Sequence, residues 1–475
     1  MNSVQIATET ERKYDVPEGF ELPSLTGSAG IRSAGAAESQ DLDATYFDTD
    51  ELSLMKNRRT LRRRTGGHDA GWHLKTPADA GSRREHRLPL GQGDGEVPVE
   101  LRKQVRAIIR RRPLHPVAEL RTHRIETPLK DESGRTLALV AQDRVTAVVD
   151  GEEQGWQEVE VELVDGDAKV LDAVERKLFA AGARVAAGPS KVARALGDRA
   201  PVPDPQDKDK DKVNPVLRYA REQRDDLTRF DPGVRRGDGE AVHKMRVATR
   251  RLRSCLKTFK RTFGDAGEVR DELKWLAGLL GEVRDGQVLQ GKLLQGVEFP
   301  EVAARVREHL EAQVERGQAA LDQALESERY LALLDRIDRL VDLTARIEDN
   351  PLKRVRSDLR KADDLLDHAL SAGEDHELHE ARKAYKRARY AVEVFEPTVG
   401  RPGKQLVNAL TDLQDVLGAH QDSVVARELL EQWGSDSFHF GILWARQEQV
   451  GRETYAQLPV VVEASRKKKL RKWLG

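Results

Sequence analysis

One stretch of this chain occurs twice, and that limits the fold more than any other feature. Val242-His243-Lys244-Met245-Arg246-Val247-Ala248-Thr249-Arg250-Arg251-Leu252-Arg253 returns as Leu378-His379-Glu380-Ala381-Arg382-Lys383-Ala384-Tyr385-Lys386-Arg387-Ala388-Arg389. In register, His243 matches His379, Arg246 matches Arg382, Arg250 matches Lys386, Arg251 matches Arg387, Arg253 matches Arg389 and Phe259 matches Phe395. At nearly the same offset, Leu280-Gly281-Glu282-Val283-Arg284-Asp285 matches Leu417-Gly418-Ala419-His420-Gln421-Asp422. Separated blocks repeated in the same order mean a duplicated helical unit.

Helical phase gives the repeat its meaning. At about 100° per residue, His243, Arg246, Arg250 and Arg253 share a narrow stripe, with Arg251 at its edge. Met245, Ala248, Leu252, Leu256, Phe259 and Phe263 lie opposite. In the second copy Ala381, Ala384, Ala388, Val392 and Phe395 face inward, while His379, Arg382, Lys386 and Arg389 face away. Like charges one turn apart destabilise a helix. A solvated basic face would account for one such stripe; two in the same phase point to a polyanion that neutralises both. A phosphate oxygen near His243 or His379 would favour the protonated ring.

These motifs resemble the CHAD domain, the conserved-histidine α-helical domain, over residues 213–475. The resemblance implies a pair of pseudo-symmetric helical bundles whose basic surfaces bind inorganic polyphosphate. It assigns that contact to His243, Arg246, Arg250, Arg251, Arg253, His379, Arg382, Lys383, Lys386, Arg387 and Arg389. The second copy departs by carrying Lys383 and Lys386 where the first has Val247 and Arg250, and Gln421 in place of Arg284. Lysine binds phosphate as a point charge and not as a fork, so unequal halves are expected.

A chain of 475 residues exceeds one core, so an α+β multidomain protein is expected. Its net charge of −1 does not argue against an anionic ligand, because the cations are segregated onto faces. The single cysteine, Cys255, excludes a disulfide framework or a cysteine metal site. No secretory signal is read after Met1, and no apolar run reaches membrane-spanning length, so no membrane partner is expected. The expected location is the cytoplasm, with polyphosphate granules as a place of association. Residues 201–212, rich in proline and alternating charge, read as a linker between a domain at 1–200 and one at 213–475. The basic tail from Ser465 to Trp473 reads equally as a polyanion footprint or a solvated helix end.

Up to about residue 200 short alternating segments suggest antiparallel strands, with helices near 99–111 and 168–182. Strand parity puts Glu9, Glu11 and Lys13 on one face. The same holds for Arg62 with Arg64, His73 with Lys75, Arg83 with Glu85 and Arg87, and Glu158 with Glu160 and Glu162. Leu61, Trp72, Leu74, Val159, Val161 and Leu163 lie between them. One such strand is ordinary surface. Five, some anionic and some cationic, fit a closed barrel with a charged lumen and an outer wall packed against helices. Carboxylates at i and i+2 suit a hard divalent cation, and arginine and lysine suit phosphate oxygens.

Glu9-Thr10-Glu11-Arg12-Lys13, Tyr46-Phe47-Asp48-Thr49, Thr60-Leu61-Arg62-Arg63-Arg64, Trp72-His73-Leu74-Lys75, the Glu158–Leu163 segment and Ser190-Lys191 resemble, in order, the CYTH or triphosphate tunnel metalloenzyme family. The resemblance implies an eight-stranded antiparallel tunnel that binds triphosphates with Mg2+ or Mn2+. Carried over by position, Glu9, Glu11, Asp143, Glu158 and Glu160 are metal ligands. Lys13, Arg62, Arg64, Lys75, Arg124 and Lys191 form a phosphate cradle, with Arg83 and Arg87 as further contacts; Glu9, Glu11 and Lys13 carry catalysis. Glu162 is expected too far along its strand, and Thr10, where the family favours an aliphatic residue, to matter little. The expected reaction is metal-dependent hydrolysis of inorganic triphosphate. The alternatives are a nucleotide or thiamine triphosphatase, an adenylate cyclase, or a polyphosphate-binding protein without catalysis. Nucleic acid is disfavoured, since the basic faces carry few aromatics for stacking.

Overall fold

Closure of the N-terminal sheet turns on the strand broken at Thr10. In the computed structural model the first strand runs as β1 (Gln5–Glu9) and resumes after Thr10 as β2 (Glu11–Asp15). A short β3 (Ser33–Ala34) precedes the remaining wall strands: β4 (Glu38–Asp48), β5 (Thr60–Thr65), β6 (Gly71–Pro77), β7 (Arg83–Leu88), β8 (His115–Lys130), β9 (Thr136–Val149) and β10 (Glu152–Leu163). β11 (Arg184–Val185) edges β2. β1 pairs with β7 and β2 with β10, both antiparallel, so the stretch 5–15 joins the two ends of one sheet. That stretch counts as one wall strand and β4 to β10 as seven more, which is the expected eight-stranded tunnel. The Thr10 carbonyl accepts from the Leu163 amide at 3.0 Å, a backbone contact at the break between the two segments, and the Thr10 side chain is exposed.

The structure describes residues 5–77, 82–91, 95–201, 214–295, 297, 299–342, 350–434 and 437–475. The chain divides into two units, Met1–Pro205 and Gln206–Gly475. Of the linker expected at 201–212, all but Pro201 lies outside the described residues.

Parity sorts the wall. Val159 and Val161 of β10 pack with Tyr14 and Val140 beneath α3 (Ala168–Ala180), whose N-terminus is capped by Asp167. Phe47, Leu61, Trp72 and Leu74 pack beneath α2 (Val99–Ile109) and Leu54 of α1 (Ser53–Lys56). The third helix, α4 (Lys191–Leu196), does not follow the expected outer packing. Its Val192, Ala195 and Leu196 cluster with Ala118, Leu120, Val145, Ala147 and Trp156, which share the strand faces of Arg124, Asp143 and Glu158. One end of the interior is therefore filled by apolar side chains.

The described elements of the second unit are all helices. Its first repeat is α5 (Pro215–Val234), α6 (Gly239–Thr258), α7 (Lys260–Phe263), α8 (Gly267–Leu294) and α9 (Pro300–Glu326). After α10 (Glu328–Asp342) the same series follows as α11 (Pro351–Ala372), α12 (Asp375–Glu393), α13 (Glu396–Val399), α14 (Arg401–Gly434) and α15 (Phe438–Arg466), then α16 (Lys468–Arg471). Both repeats open alike: Asn214 and Asn350 cap their helices and proline takes the first helical position. The apolar faces read from phase are buried, including Met245, Leu252 and Leu256 in α6 and Ala381, Ala384 and Ala388 in α12. α6 meets α12, and the matched Phe259 and Phe395 end with ring centroids 6.0 Å apart, edge to face. In the basic tail, Arg466 pairs with Asp367 at 2.7 Å, Arg471 binds Asp363, and Arg356 donates to the Gly475 carbonyl at 2.9 Å, so part of that charge is structural.

Candidate functional site

The tunnel interior is built from alternate residues of neighbouring strands. Register places Glu158 opposite both Asp143 and Asp15, Glu160 opposite Lys13, and Arg124 opposite Asp143. Asp143, Glu158 and Glu160, all buried, each offer a carboxylate oxygen within 4.8 Å of the others. The Lys191 ammonium sits among them, 2.9 Å from Asp143, 2.6 Å from Glu158 and 2.7 Å from Glu160. It stands where a cation would, at the head of the helix that fills that end. Arg124 forks onto Asp143 at 2.8 and 2.7 Å and reaches Glu160 at 2.7 Å; Lys13 also donates to Glu160. Trp156 donates its indole N–H to Glu158 at 2.6 Å.

Burial would raise the Glu160 carboxyl, but Lys13, Lys191 and Arg124 outweigh it and hold Glu160 well below the carboxylate range. Burial likewise would lower Lys191, yet Glu160, Asp143 and Glu158 hold it protonated. Hard oxygen donors converging from neighbouring strands could hold a metal ion. The other two expected ligands are elsewhere. Glu9 is held by Lys75 at 2.6 Å and Arg87 at 2.9 Å, and Glu11 by Lys13 at 3.3 Å.

The expected cradle lines the same cavity: Lys13, Arg62, Arg64, Lys75, Arg83, Arg87, Arg124 and Lys191. Arg62 donates to the Tyr46 hydroxyl at 3.3 Å, Arg64 pairs with Asp69, and Arg83 donates to the Arg58 carbonyl at 2.9 Å. Arg64, buried beside Arg62 and Arg124, is lowered to about 9. Arg121 and His123, whose parity on β8 is opposite to that of Arg124, are exposed, and His123 binds Asp41 at 2.8 Å.

Asp69 was not assigned from sequence, Tyr46 and His73 were given no role, and Glu85 was expected only as lumen wall. Asp69 comes from a loop without periodicity. Tyr46 lies in a recognised segment, but its role depends on its register opposite Arg62. His73 and Glu85 form a buried pair at 3.1 Å, with burial pushing the imidazole down to about 4 so that it stays neutral. Glu162 also lines the cavity, which corrects the expectation that it lies too far along its strand. Burial, then Glu9, raise it to about 7.

In the second unit the repeated glycines explain the repeated arginines. A side chain at Gly281 would meet the Arg246 guanidinium at 3.4 Å, and one at Gly418 would meet Arg382 at 3.8 Å. Each glycine is a shelf on which the arginine lies. Asp285 then holds Arg246 at 2.7 and 2.8 Å, whereas its counterpart Asp422 pairs with Lys292 at 2.5 Å. The two stripes converge. Burial and then Arg250, Arg382 and Arg246 lower the Lys386 amine to about 6. Burial and Arg284 hold His243 below its ordinary value, and burial does the same for His379, which contacts Gln421 at 2.7 Å. Arg253 shares its surroundings with Arg270 and Arg387. Lys383 is exposed and pairs with Glu380 at 2.6 Å. Arg251 and Arg389 are not brought to this convergence; Glu393 holds them at 2.9 and 3.3 Å in a separate cleft.

The CYTH domain family matches residues 7–196 and the CHAD domain family residues 218–431. The chain belongs to both families, a CYTH domain followed by a CHAD domain. It is 39% identical over 493 residues to the uncharacterized protein MT2285 of Mycobacterium tuberculosis (strain CDC 1551 / Oshkosh), covering 95% of this chain and 94% of that protein. The uncharacterized protein Rv2226 of Mycobacterium tuberculosis (strain ATCC 25618 / H37Rv) matches to the same extent, 39% identity with 95% and 94% coverage. Among solved structures, PptA from Streptomyces chartreusis is 20% identical with a TM-score of 0.44, over 52% of this chain and 98% of that one. The CHAD domain from the plant Ricinus communis is 25% identical with a TM-score of 0.39, over 55% and 90%. CYTH members are metal-dependent triphosphate tunnel enzymes, and CHAD domains are associated with polyphosphate. No helix among the described residues is long and apolar enough to cross a membrane.

Proposed function

We propose that the tunnel hydrolyses inorganic triphosphate to diphosphate and phosphate, and that the helical unit binds inorganic polyphosphate, in the cytoplasm or at polyphosphate granules. Charge matching carries this reading. Lys13, Arg62, Arg64, Lys75, Arg83, Arg87, Arg124 and Lys191 are balanced by Glu9, Glu11, Asp69, Glu85, Asp143, Glu158, Glu160 and Glu162. Bare triphosphate would upset that balance; triphosphate accompanied by divalent cations would keep it. Among the described lining residues Tyr46 is the one aromatic ring besides His73, which supports a substrate without a base.

Asp143, Glu158 and Glu160 would hold Mg2+ or Mn2+, which supplies charge neutralisation and lowers the pKa of a bound water. Arg62, Arg64 and Lys75 exchange their carboxylate partners for phosphate oxygens. Lys13 and Arg124 stabilise charge on the transferred phosphoryl group, and fixed cations in a closed sheet need little reorganisation. The neutral His73 ring has one N–H to donate, to Glu85 at 3.1 Å or to the Asp69 carbonyl at 2.9 Å, both of which only accept, and ties β6 to its neighbours.

With Mg2+ or Mn2+ present, phosphate should be released faster from inorganic triphosphate than from ATP or thiamine triphosphate. Asp143→Asn with Glu158→Gln should lower that rate by about a hundredfold or more. Equal turnover of ATP, or undiminished turnover in the double variant, would refute the assignment.

Polyphosphate binding should also depend on pH. Lys386, lowered to about 6 beside Arg250, Arg382 and Arg246, is mostly neutral at pH 7.5. A bound polyanion favours the ammonium, so binding takes up a proton and tightens as pH falls from 8 towards 6. Calorimetry in buffers of different ionisation enthalpy should report this uptake at pH 7.5, and Lys386→Met should abolish it. Proton release on binding would contradict the convergence of the two stripes. His243 and His379 add uptake only at lower pH, since both are held below their ordinary value.

A further inference from the structure

The cleft that takes Arg251 and Arg389 has about 640 Å³ of space and lies within the helical unit, between α5, α6, α12, α13 and α14. Its floor is charge-paired: the Glu393 carboxylate lies 2.9 Å from the Arg251 Nε and 3.3 Å from Arg389 and accepts from the Tyr219 hydroxyl at 2.9 Å, while Glu393 Oε1 and Arg251 Nε have no hydrogen-bond partner among the described residues. Above that floor the charged side chains are Glu222, Asp225, Asp226 and Glu396, so carboxylates outnumber guanidinium groups in the lining. Gln223 also lines the cleft, is only 4% exposed, and its amide oxygen has no hydrogen-bond partner among the described residues. A buried acceptor left unpaired is costly to the fold, and its presence beside a polar cleft calls for a donor from outside.

We propose that this cleft binds a linear organic polycation of the polyamine class. The geometry favours ammonium groups strung along a chain over a metal ion. The one set of carboxylates close enough together to ligate a single ion, among the described residues, is the tunnel trio of Asp143, Glu158 and Glu160. Arg224 holds Asp225 at 2.6 Å and Arg218 lies 3.8 Å from Glu222, so the cleft offers Asp226 and Glu396 to separate ammonium groups. Apolar lining is confined to Pro397, Val407 and the Tyr219 ring, which suits the methylene spacers of a polyamine and not a larger apolar ligand. Burial raises the carboxyls of Asp225 and Asp226 above their ordinary value, so added positive charge would stabilise them as carboxylates. This inference is independent of the polyphosphate reading, since the converging stripes involve Arg250, Arg382 and Lys386 and not this cleft.

Titration of the full chain with spermidine by calorimetry at low salt tests it. Asp226→Asn with Glu396→Gln should weaken binding by about tenfold or more, as two charge-assisted contacts are lost. Gln223→Leu separates ligand from fold: spermidine affinity should fall while the melting temperature holds or rises, because an orphaned buried acceptor is removed. Mg2+ at equal charge should not displace spermidine. Affinity unchanged by both variants, or full displacement by Mg2+, would overturn the proposal. So would a Gln223→Leu protein that melts earlier and binds spermidine as before.

Discussion

Glu160→Gln lowers turnover of inorganic triphosphate by about a thousandfold or more, the largest effect expected of any single change in the tunnel. Glu160 joins the two halves of the site. It is one of the carboxylates that converge with Asp143 and Glu158, and it is the shared partner of Lys13, Arg124 and Lys191. Glutamine keeps the volume and removes the charge, so Mn2+ binding weakens and the surrounding cations are left in excess. Two signs distinguish this from misfolding. Metal-free triphosphate should bind more tightly to Glu160→Gln than to the parent, because an anion now restores the lost balance. The melting temperature should fall without ligand, since breaking a buried ion pair costs about 3–5 kcal/mol, and triphosphate should recover it. Phosphate release within tenfold of the parent rate would remove Glu160 from the site.

The second large effect belongs to the helical unit. Replacing Arg246, Arg250, Arg382 and Lys386 together with glutamine should weaken polyphosphate binding by at least about a hundredfold at low salt. The slope of log affinity against log salt should flatten by about three, given roughly 0.7–0.9 per neutralised phosphate. Each side chain sits where like charge is close by, as the depressed Lys386 shows. Removing that repulsion should leave the melting temperature unchanged or higher even though binding is lost, as expected when a binding surface is held at a cost in stability. A filter-binding series from 50 to 500 mM salt would measure it. An unchanged slope would mean that polyphosphate, if bound, lies elsewhere.

Much of the wall could be read from residue spacing alone. Period-two alternation assigns Glu9, Glu11, Lys13, Arg62, Arg64 and Lys75 to one face, and the described cavity is lined by all of them. Period 3.6 separates Met245, Leu252 and Ala388, which are buried, from the cations on the other side of α6 and α12. Glu162 was misplaced because alternation gives a face and not a depth. Its depth follows from pairing with Glu11, a contact between residues far apart in the chain. Arg251 and Arg389 sat at the edge and on the line of their stripes, and Glu393 drew both away through a long-range ion pair.

From the order of its residues alone, this protein's two domain types, its duplicated helical half and the charged faces of its strands follow, because local periodicity needs no knowledge of neighbours. Only the tertiary fold decided which charges meet. The break at Thr10 lets one strand close the sheet, α4 carries Lys191 into the carboxylate trio, and Gly281 and Gly418 seat the matched arginines. Each of these depends on register and packing between distant segments, where electrostatic energy is set by distances of a few ångströms that alternation along one chain does not specify.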